Sequence, residues 1–75
     1  MGQLRDKILL GKIALVFKRL REEYDITQED VYNETNIHIG RIETAKANLT
    51  VSTLCALCQY FNITLSDFFK RVERM

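Results

Sequence analysis

Two cysteines three residues apart, Cys55 and Cys58, and a lone histidine, His38, are the side chains best suited by type to a metal or a redox couple. A structural zinc site wants four ligands, and the single imidazole lies some seventeen residues from the pair. A thioredoxin-like dithiol follows a strand, and no strand is legible before Cys55. Two cysteines at this spacing on an apolar helix face are expected as small core residues, so neither a metal nor a cofactor is expected. Nothing resembles a nucleophile with its base and orienting group, a glycine-rich phosphate loop, or paired carboxylates between apolar walls, and enzymatic chemistry is not expected either.

Arg41 is a different kind of candidate. It is the only cationic side chain between Arg21 and Lys46. A guanidinium can bond both major-groove acceptors of guanine; its alternatives are a phosphate contact or a salt bridge to Glu34 or Glu43. His38, just before it, is expected to cap a helix or touch phosphate. Gly40 costs helix stability by about 1 kcal/mol relative to alanine, which a close approach of DNA or of a neighbouring helix would explain as well as simple drift.

The elements that must position these residues are legible in the local signals. Thr27 is a helix N-cap, and Asp30, three residues on, takes the acidic position of a capping box. A helix is expected from Gln28 to Thr35 with Val31 and Tyr32 on its buried side, ended by Asn36, which tolerates the left-handed turn. Ile39 and Ile42 then share one face of a second helix that Glu43 ends, too short to stand alone in water. A helix, a turn and a short helix suggest a module that reads DNA.

With its flanks, this stretch resembles the lambda repressor/Cro (XRE-type) helix-turn-helix family. The residues that carry the resemblance are Arg21, Thr27-Gln28, the Arg-Ile-Glu of residues 41 to 43, Lys46, Asn48 and the closing TLCALCQYFNITLSDFF, together spanning roughly Ile13 to Phe69. The ordered set is the signal, since Arg-Ile-Glu alone occurs by chance. One departure stands out: between Asn36 and the Ile-Glu pair the family pattern has about three more residues, so the second helix of the motif begins later here.

The resemblance implies an all-α fold, a compact five-helix domain with the helix-turn-helix at helices 2 and 3. It implies that Arg21 and Glu43 form a partly buried structural ion pair, and that Gln28, Lys46 and Asn48 contact DNA phosphates, with Thr44 in the same loop. Arg41 and His38 would face bases. It further implies a transcriptional regulator of prokaryotic or phage type, a repressor by default, bound as a homodimer to a two-fold double-stranded DNA operator.

Outside the motif, Leu4, Ile8, Leu9 and Leu10 make residues 1–12 an expected helical extension of the domain formed by residues 13–75. Ile13, Phe17, Leu20 and Tyr24 form an amphipathic stripe expected in the core; Leu9, Leu10 and Val16 fit burial either within the chain or against a second subunit. Ile26 is expected as a buried anchor after the Tyr24-Asp25 corner. Thr50 caps a helix carrying Leu54, Leu57, Cys58 and Phe61, which Asn62 ends. Thr64 and Asp67 open a last helix whose Leu65, Phe68, Phe69 and Val72 exceed what so small a chain readily buries. Leu65, Phe69, Val72 and Leu9 are therefore the expected dimer contacts.

At 75 residues the chain is one domain with a modest core. No apolar stretch approaches the roughly 18 residues that span a bilayer, so no membrane partner is expected and the cytoplasm is the expected location. No separate domain for a small-molecule effector is evident. Net charge is only +1, but it is unevenly spread. Residues 1–21 carry six cations against Asp6, residues 22–43 carry Arg41 against seven acids, and the remainder is net +2. An acidic middle is awkward for an element that must approach phosphate. It favours a competing expectation, a protein-interaction module on the same fold, such as an antitoxin or a polymerase-binding partner.

Overall fold

The computed structural model describes residues 6–75, and among them the chain is five helices without a strand. They are α1 (Lys7–Glu23), α2 (Gln28–Thr35), α3 (Ile39–Glu43), α4 (Val51–Tyr60) and α5 (Leu65–Glu73). The all-α, five-helix expectation therefore holds, with the helix-turn-helix at α2 and α3. Leu4, counted above with the N-terminal apolar run, lies outside the described residues.

Each longer helix starts on a side-chain oxygen that takes an otherwise unpaired amide. Asp6 accepts from the Leu9 amide, Thr27 from Asp30, Thr50 from Thr53 and Thr64 from Asp67. At Thr27 the box is reciprocal, since the Thr27 amide donates to the Asp30 carboxylate at 2.9 Å. That bond holds the Asp30 carboxyl below the usual carboxylate range. Helix α1 runs unbroken through residues 12 and 13, so the N-terminal segment from Lys7 onward is the first turns of α1.

Every junction between helices contains one non-glycine residue in the left-handed region: Asp25 after α1, Asn36 after α2, Ala45 after α3 and Asn62 after α4. Asparagine and aspartate tolerate this conformation through their short polar side chains; alanine does not share that excuse.

Helix α1 packs on α3 and α5, α2 on α3 and α4, and α4 on α5. Phe17 of α1 sits where these contacts meet, its ring 4.6 Å from that of Phe68 and 6.1 Å from that of Phe61, centroid to centroid. Around it lie Val16, Leu20, Val31, Ile39, Leu57 and Cys58. Ile26 is half-buried against this core.

Three expectations about burial are corrected, at Val72, Tyr24 and Tyr32, and one open alternative is decided, at Leu10 and Val16. Val72 is 1 % exposed and belongs to the core with Phe68, so it offers no surface to a second copy. Leu10 and Val16 are also buried within the chain, whereas Leu9 stays exposed. Tyr24 is the C-cap of α1, past its last helical residue, and its ring is half-exposed rather than continuing the core stripe. Tyr32 is 40 % exposed, because Val31 alone fills the inward position of α2.

Candidate nucleic-acid interface

The reading unit is held by one ion pair. Arg21 Nε and Nη2 donate to the two carboxylate oxygens of Glu43 at 2.6 and 2.8 Å, a bidentate geometry, and Arg21 Nη1 donates to the Ile26 carbonyl at 3.1 Å. The side chains are 14 % and 8 % exposed, so the pair is largely withdrawn from water and joins the end of α1 to the end of α3. The hydrogen bond to Glu43, outweighing partial burial, raises the Arg21 pKa above its ordinary value.

Gln28, the first residue of α2, extends this pair. Its Nε2 donates to Glu43 Oε1 at 3.1 Å. Its amide lies over Gly40, where a Cβ would meet Gln28 Oε1 at 3.0 Å. Of the explanations open for Gly40, close approach by a neighbouring helix is thus present in the structure. Glu43 is engaged by Arg21 and Gln28, and Arg41, exposed on α3, makes no ion pair among the described residues.

Helix α3 itself offers little exposed surface, because it is only five residues long and buries Ile39 and Ile42. His38 precedes it as N-cap residue but makes no capping hydrogen bond. Its ring instead stacks on Tyr32 at 4.4 Å with 27° between planes. Sequence reasoning missed this pair by assigning Tyr32 to the core; the i, i+4 spacing from Gln28 was the available signal, since both residues lie on the flank of α2 that meets α3.

Thr44 donates its hydroxyl hydrogen to the Arg41 carbonyl at 2.6 Å and accepts from the Lys46 amide at 3.4 Å. In this structure the Thr44 hydroxyl orders the start of the loop after α3. Lys46 and Asn48 follow on the exposed stretch before α4.

Two acids of the middle segment, Asp30 and Glu34, lie on the side of α2 opposite Gln28 and Tyr32 by helical spacing. Burial, together with the charges of Asp30 and Glu34, raises the Tyr60 phenol above its ordinary value. Glu23 pairs with Arg71 of α5 at 3.0 Å.

Cys58 is buried and Cys55 half-buried; burial and the neighbouring Cys55 push the Cys58 thiol up to about 11. Among the described residues no group of three His, Cys, Asp or Glu side chains could hold a metal, and no helix is long and apolar enough to cross a membrane. Of the expected subunit contacts other than Val72, Leu9 and Leu65 are exposed, and Phe69 is half-buried with its ring edge-on to Phe68 at 5.4 Å.

No curated protein and no solved structure matches this chain significantly. The helix-turn-helix family model matches residues 17–68, from the middle of α1 into α5 and so across both helices of the motif. The chain belongs to the Cro/C1-type (XRE) helix-turn-helix family of DNA-binding transcription regulators.

Proposed function

We propose that this protein is a sequence-specific repressor that binds double-stranded DNA as a homodimer on a two-fold operator, without enzymatic activity. The observation that carries the reading is Arg41: Glu43 is engaged by Arg21 and Gln28, and the Arg41 guanidinium stands on the exposed face of α3 in no ion pair among the described residues. Arg41 and His38 address base edges in the major groove, while Gln28, Lys46 and Asn48 position the domain on phosphates. Gln28 retains a second amide hydrogen for that purpose after donating to Glu43. Two copies place their α3 helices in successive major grooves, about 34 Å apart or a multiple of that distance.

A second reading, a protein-interaction module, is favoured by Glu29, Asp30 and Glu34, none of which forms an ion pair among the described residues. One titration separates the two. Purified protein is bound to its own upstream DNA and to random DNA of equal length over a range of salt. Tighter binding upstream, weakening as salt rises, is the result expected of an autoregulating repressor. Failure to bind either DNA at low salt would transfer the function to a protein partner.

A further inference from the structure

The recognition helix supplies too few side chains to define an operator alone. Of its five residues, Ile39 and Ile42 are buried, Gly40 lies under Gln28, Glu43 is bound to Arg21, and only Arg41 remains. The seam between α2 and α3 continues past Gln28, however, to the stacked rings of Tyr32 and His38. Both residues are exposed, and His38 directly precedes α3 with no helix-capping duty to occupy its ring.

We propose that Tyr32 is a positioning residue of the DNA-reading surface: its ring fixes the His38 imidazole, and His38 reads a base pair beside the one read by Arg41. This rests on the DNA-binding function proposed above. An exposed histidine on an irregular segment sweeps several rotamers, and ordering it on binding opposes recognition. Stacking on a tyrosine anchored in α2 meets that ordering cost during folding. The imidazole carries hydrogen-bonding nitrogens, and the major groove presents a distinct donor and acceptor pattern at each base pair. Specificity would then be divided between α3 and a side chain of α2 acting through the turn.

The test is selection of duplexes from a randomised pool by the full-length protein and by the variants Tyr32→Phe, Tyr32→Ala, His38→Ala and Arg41→Ala, with circular dichroism checking the fold of each. Wild type is expected to enrich one motif, and Tyr32→Phe, which keeps the stack, the same motif. Tyr32→Ala and His38→Ala should each lose about tenfold preference at one shared base pair, distinct from the pair relaxed by Arg41→Ala. If Tyr32→Ala loses helical signal, Tyr32→Gln, a good helix former without a ring, replaces it. Preference unchanged in His38→Ala or in the ringless Tyr32 variant would overturn the proposal, as would a Tyr32→Phe variant as relaxed as Tyr32→Ala. A wild type that enriches nothing overturns the DNA-reading function itself, and the role of Tyr32 goes with it.

Discussion

Gly40 has no side chain, and a Cβ there would press on the amide of Gln28, 3.0 Å from its Oε1. Gly40→Ala sets two effects against each other. Alanine gains about 1 kcal/mol of helix propensity. It also displaces Gln28, whose exposed hydrogen bond to Glu43 contributes roughly 0.5 to 1.5 kcal/mol. Because Gln28 is flexible at its end, the expected urea midpoint is close to wild type while affinity for DNA falls; a large loss of stability would mean that the backbone of α2 cannot give way. Cys58 makes a second prediction, with its sign fixed by linkage. The unfolded thiol loses its proton near 9.0 and the folded one near about 11. Its contribution to stability is fully present below 9.0 and is lost as pH rises toward about 11, because there the unfolded state binds fewer protons. Chemical denaturation across that range should show a downward slope that is shallower in Cys58→Ala, the raised Tyr60 phenol supplying part of the remainder.

The helices themselves were the most legible part of the sequence, because their signals are local. Thr27, Thr50 and Thr64 each meet an amide three residues away, so type and spacing suffice to place the start of a helix. Asn36 and Asn62 likewise announce left-handed junctions by their own chemistry. Ala45 announces nothing, although its φ is 61°. Ala45→Gly should therefore stabilise the chain by about 1 kcal/mol, the relief of left-handed strain less the extra freedom of the unfolded glycine. Thermal denaturation measures this, and a lower midpoint would show that the alanine methyl has a packing role. Tyr24 and Tyr32 were misread for a related reason: periodicity places a residue near the apolar face, but only the packed neighbours decide whether there is room for a ring.

For the molecule as a whole, the awkward acidic middle is partly an artefact of reading charge along the chain. Glu43 is neutralised by Arg21 from the basic N-terminal third, and Glu23 by Arg71 from the last helix. Residues 22 and 48 positions apart cannot be paired by spacing; the first pair was reachable only through resemblance to a family, and the second not at all. The core likewise absorbs Phe68 and Val72, leaving Leu65 and Phe69 at its rim as the apolar residues of α5 with surface to share. If the proposed homodimer forms, Leu65→Glu is expected to give monomers by sedimentation where wild type gives dimers, with little change in helical content, and an intact dimer would move the interface to the Leu9 end of α1.

The Arg21 to Glu43 clasp joins residues that bracket α2, the turn and the whole of α3. These two helices have eight and five residues, neither long enough to persist alone. In hydrogen-exchange terms they form a single unit of opening, whose amides become accessible together when the clasp releases. A bound duplex would then protect α2 and α3 as one block, including amides that touch no DNA.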